Sequence, residues 1–169
     1  RAIAGVMVTA SHNPKEYNGY KVFWSDGAQI TSPVDKDIVA EVAKITDPAQ
    51  VRFTPDEDCG EIELMGKDVD EKYLHDILSL MLTPDARKRH PELKFVYTPL
   101  HGTGNIPVRK ILEGMNISVV KEQELPDGNF STVRSPNPEE KDALTLALKQ
   151  AEREDADLVF GTDPDCDRI

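Results

Sequence analysis

The sequence predicts an α/β fold: three-layer α/β/α units built on mixed, largely parallel sheets. Two observations lead there. Short apolar runs of strand length recur at 3–10, 95–97, 117–120 and 157–161. Between the later ones lie amphipathic stretches with helical spacing and capping residues. Strand and helix alternating in this way give βαβ units, whose strands pair in parallel.

Each element has its own local reason. The run at 3–10 is almost wholly apolar, which suits a strand buried on both faces. A polar loop follows from Ser11 to Glu16. Residues 20–24 alternate as a second strand, and Asp26-Gly27 supplies a turn. Ser32-Pro33-Val34-Asp35 has the form of a capped helix start, with Val34, Ile38, Val42 and Ile45 on one face. Residues 47–67 carry Pro48, Pro55, Gly60 and Gly66 among mixed charges, so a domain boundary is expected near Gly66. Asp68-Val69-Asp70-Glu71 resembles another capping box, opening a helix with Val69, Tyr73, Ile77 and Leu80. Beyond Arg87-Lys88-Arg89, a helix is expected over 106–115. Asn137-Pro138-Glu139-Glu140 is expected to cap a further helix with a stripe of Ala143, Leu144, Ala147, Leu148 and Ala151.

Composition excludes whole classes. The formal charge is −11, and 30% of the 169 residues are charged. Nothing in that balance supplies a row of phosphate-neutralising cations, so nucleic acid is not the expected partner. No apolar run reaches the roughly 18 residues that cross a bilayer, so no membrane span is expected. Cys59 and Cys166 form neither a disulfide framework nor a metal motif, which suits a reducing cytoplasm. The chain opens at Arg1 and stops at Ile169, inside a candidate site, and is expected to be part of a longer protein.

Chemistry is expected in the loops at the carboxyl ends of strands. After the last strand, Asp163, Asp165 and Asp167 alternate, so an extended backbone would project all three carboxylates to one side. Such charges either sit in water or are held together by a cation. Ligands that are all oxygen point to Mg²⁺, Mn²⁺ or Ca²⁺ rather than zinc. An EF-hand fits poorly, because Arg168 stands where the loop needs Gly. Arg168 beside such a cluster makes sense if a phosphate bridges cation and guanidinium. A strand-terminal DxD also suits an aspartyl phosphatase. Ser11, one residue past the first strand, is a weak nucleophile until a base or metal activates it. His12 and Lys21 have ordinary surface explanations. His101-Gly102-Thr103-Gly104 is either a phosphate-cradling turn or a structural one.

Together these segments resemble the α-D-phosphohexomutase superfamily. Thr9-Ala10-Ser11-His12-Asn13-Pro14 is similar to its phosphoserine loop, and Asn18-Gly19-Tyr20-Lys21 to the lysine segment that follows. Thr162-Asp163-Pro164-Asp165-Cys166-Asp167-Arg168 is similar to its metal loop, usually DGDGDR. Pro164 and Cys166 replace the glycines, as in the branch of phosphoglucomutases and phosphopentomutases. Thr98-Pro99-Leu100-His101-Gly102-Thr103-Gly104 and Leu125-Pro126-Asp127-Gly128-Asn129-Phe130 resemble the same branch.

The resemblance implies four domains. Residues 1–66 would be the C-terminal part of domain 1, with the phosphoserine loop, and 67–169 a truncated domain 2, with the metal loop. The sugar-recognition loop and phosphate-binding fourth domain have no counterpart here, so partners would include domains 3 and 4 and a sugar phosphate. The resemblance also implies Mg²⁺ held by Ser11, Asp163, Asp165 and Asp167, and glucose 1,6-bisphosphate as activator or intermediate. Ser11 would carry the phosphoryl group and Arg168 would steady it. Lys21 and His12 are candidates for proton handling, and the sequence does not choose between them. The expected activity is phosphoglucomutase-type interconversion of hexose 1- and 6-phosphates, with phosphopentomutase or phosphomannomutase as relatives of the same chemistry. A non-catalytic Mg²⁺ or sugar-phosphate module is the alternative from another class.

Overall fold

A computed structural model of the protein describes residues 2–51 and 62–169. Pro55, Cys59 and Gly60 of the expected linker lie outside the described residues. Contacts divide the chain into two compact units. One holds the residues up to Met7 and from Tyr20 to Gly66; the other holds Val8–Gly19 and Lys67–Ile169.

The first unit contains most of a two-stranded sheet, β1 (Gly5–Thr9) with β2 (Gly19–Phe23). The Asp26-Gly27 turn forms as expected: the Asp26 carboxylate accepts the Ala28 N–H at 2.9 Å, and Gly27 takes a φ of 86° that side chains disfavour. Helix α1 (Val34–Val42) follows. Ser32 does not cap it. Pro33 sits at the N-cap with no side-chain bond, and Asp35 and Asp37 in the first turn offset the helix dipole instead. β1 is not buried on both faces as its apolar run predicts: Val6 is 66% and Val8 72% exposed. Among the described residues, two strands offer no layer to cover both sides. Val34, Val42 and Ile45, the expected inner face of α1, are likewise exposed.

The second unit is the βαβ structure. Helix α2 (Lys67–Ser79) starts one residue before Asp68, so Asp68 and Asp70 lie inside the first turn rather than at a capping box. A short helix α3 (Ala86–Arg89) follows. Its Arg87 donates to the carbonyls of Ile111, at 3.1 Å, and Glu113. A guanidinium thus closes the carboxyl end of the next helix, where the dipole favours a cation. Strand β3 (Lys94–Thr98) leads through α4 (Asn105–Ile111) to β4 (Asn116–Val119). Helix α5 (Thr145–Glu154) then leads to β5 (Leu158–Gly161). The sheet order is β4-β3-β5, all parallel.

Asn137 does not cap α5, which begins eight residues later; its side chain accepts the Glu139 N–H within a turn of its own, at 3.1 Å. The α5 stripe does form the core. Ala147 and Ala151 pack with Val96 and Val120, and small side chains let helix and sheet approach closely. Register pairs Val96 with Val159 and Tyr97 with Phe160. Alternation therefore sends Val96 and Val159 towards α5 and Tyr97 and Phe160 to the opposite face, where their rings stack at 4.9 Å. Leu148 and Leu158 stay exposed at the margins.

Val96 is fully buried at the centre of this packing. Val96→Ala should therefore destabilise the fold by about 2 kcal/mol, read as a lower urea midpoint with an unchanged slope.

Candidate active site

From β3 the chain runs out to β4 on one side, and it returns to β5 on the other. The carboxyl ends of β3 and β5 thus flank the switch point at which parallel sheets bind ligands. Two loops meet there, one from each strand.

The loop after β5 is built around Asp163. Its backbone continues the ladder, since the Thr162 N–H donates to the Thr98 carbonyl at 3.0 Å. The loop does not stay extended, as the alternating aspartates suggest. It turns, closed by the Cys166 N–H on the Asp163 carbonyl at 2.9 Å, with Cys166 at a left-handed φ of 62°. That turn wraps the loop around the fully buried Asp163 carboxylate. One oxygen, Oδ1, accepts the N–H groups of Asp167 and Arg168, each at 3.0 Å. The other, Oδ2, is buried with no hydrogen-bond partner.

Oxygens of Asp163, Asp165 and Asp167 lie within 4.8 Å of one another. Burial first, and then the close Asp165 and Asp167 carboxylates, push Asp163 up to about 6. Burial also raises the Cys166 thiol, so it is no poised thiolate. A buried acceptor without a donor, facing two further carboxylates, is satisfied by a proton or by a cation. The donor set fits a hard divalent ion.

The Thr98–Gly104 loop braces this turn. Thr103 gives both its N–H (2.9 Å) and its hydroxyl (3.0 Å) to the Pro164 carbonyl. A Cβ on Gly102 would fall 2.5 Å from Pro164 Cα, and one on Gly104 within 2.8 Å of Tyr97, Cys166 and Thr162 side chains. His101-Gly102-Thr103-Gly104 thus braces the acidic turn, with its glycines required by close approach. Tyr97, its phenol pushed up to about 12 by burial, bonds Thr162 at 2.8 Å.

Beneath lies a buried polar chain. The Leu100 N–H donates to Thr98 Oγ1 at 3.1 Å, and the Thr98 hydroxyl to Gln123 Oε1 at 2.7 Å. Gln123 Nε2 donates to Thr132 Oγ1 at 3.1 Å. His101 spans Thr132 Oγ1 (2.8 Å) and the Leu125 carbonyl (2.9 Å). A carbonyl at Nδ1 requires a proton there, leaving Nε2 to accept from Thr132. Every member is satisfied.

Ser11 sits in the same compact unit as this loop. It takes a left-handed φ of 54°, and its N–H donates to Thr9 Oγ1 at 2.7 Å. Its hydroxyl donates to Asp165 Oδ1 at 3.3 Å, across 154 residues of sequence. His12 Nδ1 stands 3.4 Å from the same hydroxyl. Arg168 Nη1 donates to Glu139 Oε1 at 2.9 Å. Lys21 is half-buried on β2, in the first unit. Beside the serine turn is a cleft of about 580 Å³, lined in part by His12, Asn13, Thr132, Arg134, Ser135 and Asn137. Sequence reasoning missed Glu139, because Asn137-Pro138-Glu139-Glu140 reads as a helix cap, and Ser135, because its contact with the His12 carbonyl spans 123 residues. It missed Gln123 and Thr132 because nothing in sequence marks a buried polar pair.

Fold and loops define an α/β protein whose polar chemistry gathers at the switch point of a parallel sheet. The family models for phosphoglucomutase/phosphomannomutase match twice: alpha/beta/alpha domain I over residues 1–49 and domain II over 71–169. The chain belongs to the phosphoglucomutase/phosphomannomutase family. It is 41% identical to a probable phosphomannomutase of Haemophilus influenzae, over 98% of this chain and 34% of that protein. It is 40% identical to a human glucose 1,6-bisphosphate synthase, over 100% of this chain and 28% of that one. A phosphoglucomutase of Staphylococcus haemolyticus is 39% identical, over 98% and 30%. The chain thus spans about a third of its relatives' length or less. A crystal structure of a putative phosphomannomutase from Thermus thermophilus superposes with a TM-score of 0.76 at 26% identity, covering 99% of this chain and 36% of that one.

The raised Asp163 fixes two pH effects. A cation entering the loop must displace the Asp163 proton, so affinity measured by titration calorimetry should weaken about tenfold at pH 5 relative to neutral pH. In the cation-free protein, folded Asp163 holds its proton between about pH 4 and 6 while the unfolded chain releases it. Its contribution to stability should therefore fall as pH rises through that window and stay flat above it; equilibrium denaturation at a series of pH values checks the sign.

Proposed function

We propose that the chain forms part of a phosphohexomutase, a phosphotransferase that interconverts hexose 1- and 6-phosphates through a phosphorylated Ser11 and a sugar bisphosphate. The observation that carries this reading is the 3.3 Å hydrogen bond from Ser11 Oγ to Asp165 Oδ1. It sets a hydroxyl nucleophile against a carboxylate cluster suited to a cation, within one compact unit.

Asp163, Asp165 and Asp167 would hold Mg²⁺, with Ser11 Oγ alongside. When bound, such an ion draws charge from a transferring phosphoryl group as a Lewis acid. The chain's own residues do the positioning, which is most of what phosphoryl transfer asks of a protein. A sugar hydroxyl attacks the phosphorus on Ser11; the new sugar O–P bond forms as the Ser11 Oγ–P bond breaks. The hydroxyl proton ends on Ser11 Oγ. His12, 3.4 Å from that oxygen, and Lys21 are the candidates for moving it. Arg168 binds two phosphoryl oxygens through the part of its guanidinium that Glu139 leaves open. The cleft beside His12 has the size of a small-ligand site.

Residues 1–66 correspond in this reading to part of domain 1 and 67–169 to domain 2. The exposed apolar faces of β1 and α1 fit a domain completed by further chain, and domains 3 and 4 would complete the substrate site. The proposed setting is a reducing cytoplasm. No helix among the described residues is long and apolar enough to cross a membrane. Glucose phosphate is the proposed substrate, and glucose 1,6-bisphosphate the intermediate. The names of the relatives also admit mannose phosphate.

Incubating the intact protein with glucose 1,6-bisphosphate and Mg²⁺ should add one phosphate to the peptide bearing Ser11, read by mass spectrometry, and Ser11→Ala should abolish both label and turnover. Turnover surviving in Ser11→Ala would favour an aspartyl phosphatase. Cation binding without any label would favour a non-catalytic module. The isolated 169-residue chain should give no mutase turnover with glucose 1-phosphate in a coupled assay.

A further inference from the structure

The stretch from Ser135 to Glu139 touches both halves of the site. At one end the Ser135 hydroxyl donates to the His12 carbonyl at 2.8 Å, next to the nucleophile. At the other, Glu139 Oε1 receives Arg168 Nη1 at 2.9 Å. Between them Pro136 and Pro138 are buried, Pro136 completely. Two proline rings fix two φ angles and anchor the segment in the protein interior. Asn137 braces the turn further, accepting the Glu139 N–H on its side chain and the Glu140 N–H on its carbonyl, at 3.1 and 2.9 Å. Upstream, Thr132 is tied into the buried chain of Gln123 and His101.

Stability does not account for the outer contact. The Arg168 and Glu139 side chains are 37% and 62% exposed, and an ion pair so open to water adds little to stability. Its consequence is geometric. A free arginine samples many rotamers, whereas one nitrogen held by Glu139 leaves the remaining N–H groups aimed in a set direction.

We infer that Ser135-Pro136-Asn137-Pro138-Glu139 is a proline-stiffened bracket that sets the Ser11 turn in register with the Arg168 guanidinium, with Ser135 and Glu139 as positioning residues. The inference rests on the phosphoserine reading above. In the step concerned, Ser11 Oγ takes the phosphoryl group from a sugar bisphosphate: the Oγ–P bond forms, the sugar O–P bond breaks, and the serine proton ends on the released sugar hydroxyl. The bracket acts by holding acceptor and guanidinium at fixed separation, and displacements of about an ångström in such geometry cost up to about a hundredfold in rate.

The test is single-turnover phosphorylation of Ser11 in the intact protein by glucose 1,6-bisphosphate, with Mg²⁺ affinity measured alongside. Ser135→Ala should lower the rate at saturating bisphosphate about tenfold, and Glu139→Ala up to about fivefold, the most that so exposed an ion pair can hold. Half-saturation and Mg²⁺ affinity should stay at wild-type values. Glu139→Gln, whose amide carbonyl still accepts from Arg168, and Ser135→Thr should restore most of the rate. The double alanine variant should lose less than the product of the single losses, because both cut the same bracket. Wild-type rates in both alanine variants would overturn the bracket alone. So would equal loss in Glu139→Gln and Glu139→Ala with Mg²⁺ affinity falling in parallel, which marks simple disruption of the metal loop. An unlabelled wild-type Ser11 would instead overturn the phosphoserine reading, and the bracket's role with it.

Discussion

A carboxylate with one oxygen satisfied and one left over is the constraint on which the rest of the site depends. Burying Asp163 at the end of a parallel strand removes it from water, which costs several kcal/mol for a charged group. Two loop N–H groups offset part of that cost at Oδ1. Nothing among the described residues offsets it at Oδ2. The loop is therefore poised between a protonated form and a cation-bound form, and its neighbours brace it on two sides. Thr103 holds Pro164 from one side, and the Tyr97–Thr162 bond holds the strand end from below.

A second layer sustains that rigidity. The chain running from Leu100 through Thr98, Gln123, Thr132 and His101 to Leu125 gives each of its side chains a partner, and a well-satisfied buried network favours one arrangement over near alternatives. It ties the β3 loop to the irregular segment after Gln123, which has little regular structure of its own. Asp127 adds a local lock: its carboxylate takes the N–H groups of Asn129 and Ser131, both at 2.9 Å, and with the Ser131 side chain these bonds hold it down at about 2. An otherwise loose loop thus delivers Ser135 and Glu139 to fixed places.

Much of this was legible from residues alone, for identifiable reasons. Strands β3, β4 and β5 are read within a residue or so, because apolar runs bounded by polar turns leave few alternatives, and the α5 stripe of alanines marks the core directly. The convergence of Asp163, Asp165 and Asp167 is readable, though by a false route: alternation in an extended strand suggests it, whereas a left-handed Cys166 and a tight turn produce it. Helix starts fare worst. Ser32, Asp68 and Asn137 all have capping chemistry, yet the helices begin elsewhere; for α5, packing of its alanine stripe against the sheet decides the start. Burial of β1 fails for a different reason: apolar composition states what a strand can tolerate, and the covering layer is a tertiary fact. The link from Ser135 to His12 spans 123 residues and has no local signature at all.

The contact between Gly102 and Pro164 has an evolutionary consequence. A side chain at the first position would occupy the space of the second residue's backbone, so the two cannot drift independently. Any lineage that reshapes the acidic turn must do so while the facing glycine stays bare, or must change both together. The turn's freedom to diversify is thereby set from a loop about sixty residues upstream.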